Sequence, residues 1–253
     1  MYQYLNKHPR EDELKKNFIL IHGAWHGGWC WENVSAELEK AGHKVQTPTM
    51  PGHHPKDDRR GICLEDYITR IVSTIEKTQG PVVLVGHSSA GFLIQSAAAR
   101  VAEKIDHLIF NNAFILPHGN CQFDMVPREV AQAMTAAAKA SPDNCVPVME
   151  AFVRNTLMSD TPKAIQDELI ARLVPQPLDL FTTPVDLTGF DRGIFRKTLL
   201  FCTRDQSLPE GAYQGMARAL EPMDIIKLDL GHEGLFTHPE QIAAGLMQAI
   251  NNT

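Results

Sequence analysis

A serine flanked by small residues stands between an apolar run and an alanine-rich segment. The stretch is Gly86-His87-Ser88-Ser89-Ala90-Gly91, and the apolar run that leads into it is PVVLVG. A serine at the apex of a sharp strand-to-helix turn exposes its hydroxyl, and small neighbours let the strand and the helix approach closely. Such a serine also sits over a helix N-terminus, which favours developing negative charge. The pattern predicts that Ser88 is a nucleophile, although Ala90 replaces the usual glycine two residues after it.

A serine hydroxyl needs a base within hydrogen-bond reach, and the base needs an acid that orients it. For this kind of turn the order along the chain is serine, acid, histidine. His232 lies between the last apolar run and the final helical segment, whereas its competitor His238 falls inside a predicted helix cap. Asp205 follows the apolar run KTLLFC, where a strand would end. We therefore expect Ser88, Asp205 and His232 to form a catalytic triad.

Other positions for the acid fit less well. The strand predicted over 105–110 is followed by Asn111 and Asn112, which carry no carboxylate. Asp191 lies in the loop that leads into the penultimate strand, at the end opposite to the expected site. Asp205 remains the expected acid.

Negative charge on a carbonyl oxygen in the transition state requires two N–H donors. One is expected from the residue after the nucleophile, Ser89, and the other from the glycine-rich loop HGAWHGGW, most simply from Ala24. In this loop His22 and His26 are four residues apart, which is also a metal-ligand spacing. Because glycines break the segment and no carboxylate is near in sequence, we expect no metal.

Strand and helix patterns alternate along most of the chain, which predicts a parallel sheet with helices on both faces. Apolar runs predict six strands, at 17–23, 43–50, 81–86, 105–110, 197–202 and 224–230, and helical periodicity predicts helices at 28–41, 66–77, 92–101, 209–220 and 241–250. The last two helices are preceded by S/T-x-x-E patterns, Ser207 to Glu210 and Thr237 to Glu240, which predict capping boxes.

The alternation fails in the middle of the chain, where helical patches occur at 129–140 and 164–173 and prolines are frequent. We interpret residues 114–190 as a cap inserted into an α/β core formed by 1–113 and 191–253. Apolar residues near the cap and the first loop are expected to line a substrate pocket: Trp25, Phe123, Met125, Met149, Phe152 and Phe181.

Composition excludes several classes of protein. The 253 residues carry 24 basic against 30 acidic side chains, a net charge of −6, with a pI near 6.0. This balance argues against nucleic-acid binding, which needs a basic face. The five cysteines are odd in number and contain no C-x-x-C, which disfavours a disulfide framework or a structural zinc site and favours the reducing cytoplasm.

No segment has the pattern of a membrane anchor. The first sixteen residues are polar and lack the apolar region of a signal peptide. The longest stretch without a charged residue, 78–99, is divided by Gly86 and Gly91, and it is interpreted as a strand followed by a buried helix.

The motifs together resemble the α/β-hydrolase fold, within it the branch of plant methylesterases and hydroxynitrile lyases with their bacterial esterase relatives. The matching pieces are HGAWHGGWCW, GHSSAG, RLVPQPLDLF, RDQSLPE and GHEGLFTHPEQIA, and the likeness runs from about residue 17 to 250. The resemblance places Ser88, Asp205 and His232 on the family's triad and the amides of Ala24 and Ser89 on its oxyanion hole. It also implies cofactor-free hydrolysis of small, largely apolar esters in a pocket roofed by a cap.

The sequence differs from the hydroxynitrile lyases at two positions. Those enzymes carry a threonine after the histidine that corresponds to His22 and a lysine after the catalytic histidine. Here these positions are Gly23 and Glu233. The expected function is therefore a serine carboxylesterase acting on a small ester or thioester, with a small-molecule substrate and a possible homodimer. The alternatives are lyase chemistry, cofactor-free oxygenation of a heteroaromatic ring, and a hydrolase-like ligand receptor.

Overall fold

A computed structural model of the chain describes residues 15–251. In this range the chain forms one six-stranded sheet with the strand order β2-β1-β3-β4-β7-β8, and every neighbouring pair is parallel. The strands are β1 (Asn17–Ile21), β2 (Lys44–Gln46), β3 (Val82–His87), β4 (Ile105–Asn111), β7 (Arg196–Cys202) and β8 (Asp224–Leu228). The predicted α/β architecture with about six, mostly parallel strands is confirmed.

Helices cover both faces of the sheet, as the alternation predicts. The helices α1 (Glu32–Lys40) and α10 (Pro239–Asn251) pack together, and α2 (Leu64–Lys77) packs against α3 (Ala90–Arg100). Val83 and Val85 of β3 lie in the apolar cluster with α1 and α10, and Val82 and Leu84 lie in the cluster with α2 and α3. Successive side chains of a strand point to opposite faces, so the continuous apolar run of β3 is buried on both sides.

Between β4 and β7 the chain builds a separate set of short elements. These are α4 (Arg128–Ala140), β5 (Cys145–Val146), α5 (Glu150–Phe152), α6 (Lys163–Ile170), β6 (Gln176–Pro177) and α7 (Asp179–Thr182). The strands β5 and β6 pair antiparallel, apart from the main sheet. The division into a core and a cap at residues 114 and 190 stays a prediction, and residues 1–14 and 252–253 lie outside the described range.

The structure corrects three local predictions. The strand β2 has three residues, whereas the sequence suggested a strand over 43–50. The helix α8 (Ala212–Arg218) begins after Gly211, so Ser207 does not cap it. The Ser207 hydroxyl lies 2.7 Å from the Tyr213 hydroxyl.

The predicted capping box at Thr237 is also absent. Thr237 ends the short helix α9 (Gly234–Thr237), and its hydroxyl donates to the Glu233 carbonyl at 3.1 Å. None of the helices within residues 15–251 has the length and hydropathy needed to cross a bilayer.

Candidate active site

Ser88 occupies the turn between β3 and α3 in a backbone conformation that side chains rarely adopt, with φ at 55°. The backbone around Ser88 is closely packed on both sides of this turn between β3 and α3. A Cβ on Gly86 would lie 2.8 Å from the Ala90 carbonyl oxygen, and one on Gly91 would lie 2.2 Å from the Phe114 carbonyl oxygen. Both separations are closer than real Cβ contacts, so this crossing requires glycine at both positions. The local sequence thus produces a strained, half-buried serine at the turn that the pattern predicts.

His232 and Asp205 meet at the carboxyl-terminal edge of the sheet, after β8 and β7 respectively. The Nδ1 atom of His232 lies 2.7 Å from Asp205 Oδ2, and both side chains are buried. A carboxylate can only accept a hydrogen bond here, so Nδ1 carries the hydrogen and Nε2 keeps its lone pair. The imidazole is therefore held in the tautomer that can accept a proton at Nε2.

Three donors hold the Asp205 carboxylate. The Ser207 amide donates to Oδ1 at 2.7 Å, and Asn112 Nδ2 and His232 Nδ1 both donate to Oδ2. Burial raises the pKa of the Asp205 carboxyl, but the charge and hydrogen bond of His232 and the bonds from Ser207 lower it more, so it lies well below its ordinary value. Asp205 is thus held as a carboxylate.

The same pairing acts on the imidazole in the opposite direction. Burial lowers the pKa of His232, but the charge of Asp205, its hydrogen bond and the charge of Glu233 raise it more, and the net pKa lies above 6.5. The Asp205 carboxylate thus favours the protonated form of His232, which makes the ring a better proton acceptor.

Ser88 and His232 line the same cavity. Throughout the described residues, no hydrogen bond joins the Ser88 hydroxyl to the His232 ring. Catalytic hydrogen bonds of this kind often tighten only when substrate binds. The structure therefore brings the predicted nucleophile, base and acid to one place and orients the base.

The amides of Ala24 and Ser89 are available as oxyanion donors. Both residues line the cavity beside Ser88. Neither amide donates in any hydrogen bond found between residues 15 and 251. Two N–H groups without acceptors, one of them at the N-terminus of α3, are what a developing oxyanion needs.

Trp25 fixes the loop that presents Ala24. Its φ is 64°, and three bonds tie it to the segment between α4 and α7. The Trp25 amide donates to Gln176 Oε1 at 3.2 Å, its ring Nε1 donates to the Val146 carbonyl at 3.2 Å, and its carbonyl accepts from the Val174 amide at 2.9 Å. The amide next to Ala24 is thus positioned by residues more than a hundred positions away.

The cavity measures about 350 Å³ and is lined mainly by apolar side chains. Four of the six expected pocket residues line it: Trp25, Phe123, Phe152 and Phe181. The other two, Met125 and Met149, are not among its lining residues and pack against the main apolar cluster. The cavity wall also includes residues not expected from the sequence: His26, His87, Phe114, Gln122, Val126, Pro127, Val130, Met134, Leu157, Gln206, Ser207, Leu208, Pro209 and Glu233.

The His22 and His26 spacing does not form a metal pair. His22 Nδ1 donates to the Gly23 carbonyl at 2.9 Å, and its Nε2 accepts from the Met50 amide at 3.0 Å. Both ring nitrogens of His22 are therefore committed, and they hold the backbone at the end of β1. Burial lowers the pKa of His22 well below its ordinary value, so the ring is neutral.

Glu233 is an acidic residue of the cavity wall that was not expected there, because in the sequence it served only to disfavour lyase chemistry. It is 2% exposed, and its Oε2 lies 3.4 Å from His26 Nε2 and 4.0 Å from His87 Nε2. Burial raises the pKa of Glu233, but the neighbouring histidines, His26 foremost, lower it to about 2. A signal was present in the sequence, since Glu233 adjoins His232 and His87 adjoins Ser88.

Comparison with known proteins gives the chain its family. The model of the "Alpha/beta hydrolase family" matches residues 18–245. The chain is 29% identical to a "Carbendazim hydrolyzing esterase" of Nocardioides sp. (strain SG-4G), over 91% of this chain and 98% of that protein. It is 27% identical to "Methyl jasmonate esterase 1" of Vitis vinifera, over 95% of this chain and 99% of that protein.

A solved structure agrees with these relatives. An extracellular alpha/beta-hydrolase from a Paenibacillus species, described as sharing structural and functional homology with tobacco salicylic acid binding protein 2, superposes with a TM-score of 0.87. It is 26% identical and covers 92% of this chain and 98% of its own. With the family model matched over most of its length and a serine turn, a histidine and an aspartate gathered at one sheet edge, this chain belongs to the alpha/beta hydrolase family.

Proposed function

We propose that this chain hydrolyses a small, largely apolar carboxylic ester or thioester through an acyl-enzyme on Ser88. Its family and its esterase and methylesterase relatives support a carboxylic ester hydrolase. The observation that supports the mechanism most directly is the shared cavity of Ser88, at a φ of 55°, and His232, whose Nδ1 is bonded to Asp205.

The residues have distinct tasks in this reaction. The Ser88 hydroxyl attacks the carbonyl carbon while His232 Nε2 takes its proton, and Asp205 stabilises the imidazolium that forms. The amides of Ala24 and Ser89 donate to the oxyanion. His232 then returns the proton to the leaving alcohol or thiol, and a water activated by the same histidine releases the acid.

The size and lining of the cavity support the substrate class. A volume of about 350 Å³ is near the lower end for ligand sites, so a small ester fits. Phe123 and Phe181 stack in this cavity with ring centroids 5.4 Å apart, and Trp25 lies 5.9 Å from Phe181. These rings favour an aryl or alkyl acyl group over a charged one.

Hydroxynitrile lyase chemistry is disfavoured at the same positions. A Cβ on Gly23 would lie 2.9 Å from Ser88 Cβ, so the lyases' threonine does not fit here without moving the nucleophile. Glu233 places a negative charge where departing cyanide would need a positive one. The absence of cyanide release from mandelonitrile would agree with this assignment.

The decisive experiment combines labelling with turnover. We expect a fluorophosphonate probe to add one adduct per chain, mapped to Ser88 by peptide mass, and Ser88→Ala to lose hydrolysis of p-nitrophenyl acetate by about 10⁴-fold or more. Ser73→Ala, on the surface side of α2, is the control and should retain both. An adduct elsewhere, or full turnover by Ser88→Ala, would remove Ser88 from the mechanism. Oxygen uptake with a quinolone, or a stable ligand complex without turnover, would favour the oxygenase or the receptor instead.

A further inference from the structure

Buried polar atoms without hydrogen-bond partners converge beside the proposed base. Over residues 15–251, His26 Nε2, His87 Nε2 and both carboxylate oxygens of Glu233 are buried and make no hydrogen bond. Buried polar atoms are paired in the great majority of cases, so such a group requires a physical explanation. Here several lie together at the wall of one cavity.

The hydrogen bonds on the far side of each ring determine what these atoms can do. His87 Nδ1 lies 3.1 Å from the Asn111 carbonyl oxygen, which can only accept, so Nδ1 carries the hydrogen and Nε2 presents a lone pair. The same reasoning gives His232 a lone pair at Nε2, because its Nδ1 donates to Asp205. Glu233 is an acceptor as well. His87 Nε2, His232 Nε2 and the Glu233 carboxylate therefore present lone pairs and negative charge. His26 Nε2 lies 3.4 Å from Glu233 Oε2, and because its Nδ1 donates to the Ala24 carbonyl it can donate to the carboxylate only as an imidazolium.

The geometry of the three side chains suits a small cation. One ring nitrogen each of His87 and His232 and one Glu233 oxygen all lie within 4.8 Å of one another, and the two imidazoles are 4.7 Å apart between centroids. Zinc is bound at about 2.0–2.2 Å by histidine nitrogen and carboxylate oxygen. Adjacent tetrahedral ligands are then roughly 3.4 Å apart, so small side-chain rotations close the site.

The surroundings are also those of a metal site. Histidines that bind metals donate their second ring nitrogen to a carboxylate or a carbonyl, which fixes their orientation. Asp205 does this for His232, and the Asn111 carbonyl does it for His87. All three candidate ligands line the cavity, which gives an ion a path from solvent.

We propose that His87, His232 and Glu233 form a binding site for a divalent transition metal of the zinc type, and that the bound ion blocks hydrolysis. Two histidines and a glutamate with an open fourth position are a donor set that zinc prefers, whereas Mg²⁺ and Ca²⁺ require more oxygen ligands. The inhibitory half rests on the proposed function: an ion on His232 Nε2 occupies the lone pair that must accept the Ser88 proton.

Binding is tested without reference to activity. We expect chelator-treated protein to bind one Zn²⁺ per chain by isothermal titration calorimetry, Ser88→Ala to bind it equally well, and Mg²⁺ to give no heat of binding. Glu233→Gln should weaken Zn²⁺ binding by about tenfold or more. His118→Gln is the matched control, because His118 forms an exposed pair with Asp186 at 3.6 Å, and it should bind Zn²⁺ like the unaltered chain.

The site can also be tested in the unaltered chain by visible absorption spectroscopy with Co²⁺. Co²⁺ added to the unaltered chain should give the intense visible bands of a four-coordinate site, displaced by Zn²⁺. Absence of Zn²⁺ binding in Ser88→Ala, an unchanged affinity in folded Glu233→Gln, or the weak spectrum of six-coordinate Co²⁺ would each overturn the site.

The inhibitory half has its own readout. Zn²⁺ should abolish p-nitrophenyl acetate hydrolysis by the unaltered chain with a midpoint equal to the calorimetric Kd, and a chelator should restore it. Full hydrolysis by the Zn²⁺-loaded chain would overturn this half alone. If the metal-free chain does not hydrolyse esters, the proposed function and the inhibitory half both fail, and the calorimetry still decides the binding site.

Discussion

A side chain on Gly23 would collide with the nucleophile, since its Cβ would lie 2.9 Å from Ser88 Cβ. The same atom would lie 3.1 Å from the His87 carbonyl oxygen. The end of β1 thus packs directly against the turn after β3, and the position of Ser88 depends on the absence of a side chain at residue 23.

Gly23→Thr should lower kcat/KM for p-nitrophenyl acetate on the order of 100-fold, because a displacement of about 1 Å at a reacting group has this effect. Gly215→Ala is the control, since a Cβ there meets nothing within 4 Å, and it should keep full activity. Undiminished activity in a folded Gly23→Thr would show that the turn tolerates the added atoms.

Asn112 is expected to act through Asp205. Its Nδ2 donates to Asp205 Oδ2, and its Oδ1 accepts from the Cys202 amide at 2.6 Å, so it holds the acid against the end of β7. Asn112→Ala should lower kcat by about 10-fold to 100-fold, less than the ~10⁴-fold expected for removal of the carboxylate's orienting role. Steady-state kinetics beside the exposed control Asn33→Ala would check this, and an effect on KM alone would contradict it.

Gln176 should influence catalysis from outside the sheet. It accepts from the Trp25 amide and donates from Nε2 to the Tyr67 hydroxyl at 3.0 Å. Gln176→Ala frees the loop that presents Ala24, and a weakened oxyanion donor lowers kcat. We expect a decrease of about tenfold in kcat with KM changed less. Gln166→Ala, on α6 away from this loop, is the control, and an equal decrease in that variant would point to general destabilisation.

Buried neutral histidines should make the fold sensitive to acid. Burial lowers the pKa of His107 to about 4 and that of His53 to about 4, against about 6.5 in an unfolded chain. Between pH 6.5 and 4 the unfolded chain therefore binds protons that the folded chain does not. The free energy of unfolding should fall as the pH falls, by about 1.4 kcal/mol per pH unit for each such histidine.

Urea unfolding at pH 7, 6 and 5 would measure this slope. His107→Gln removes one titrating group, so the slope should be shallower whatever its stability at pH 7. Parallel slopes in the unaltered chain and in His107→Gln would contradict the assignment to His107.

The sequence predicted the main sheet well because its signals are local. Apolar runs such as Val82 to Val85 and the small residues around Ser88 predict strand and turn directly. The order of serine, acid and histidine along the chain then selects Asp205 and His232 as candidates. The confirmed elements differ from the expected ones mostly at their ends, as at β2 and α8. At the start of α8 the Ser207 hydroxyl pairs with the Tyr213 hydroxyl, six residues away, instead of capping the helix.

The parts of the site that the sequence did not provide depend on contacts between distant segments. The selection of Phe152 and not Met149 for the cavity wall depends on the fold of the middle segment, which has little periodicity. Asn112 carries no carboxylate of its own, but its side-chain amide donates to the Asp205 carboxylate, which only the folded chain brings near. The burial of Glu233 is explained by the nearby His26 and His87 rings, and this proximity is visible only in the folded chain.

Trp25 has a consequence for how this enzyme could diverge. Its backbone adjoins Ala24, the proposed oxyanion donor, and Trp25 forms part of the cavity wall. Its hydrogen bonds reach Val146 in β5, Gln176 in β6 and Val174, which precedes β6. Substitutions that reshape this part of the cavity wall for a bulkier acyl group will therefore also shift the backbone of Trp25 and, with it, the amide of Ala24. Selectivity and turnover should consequently change together in variants of residues 144–177, and screening for one will select the other.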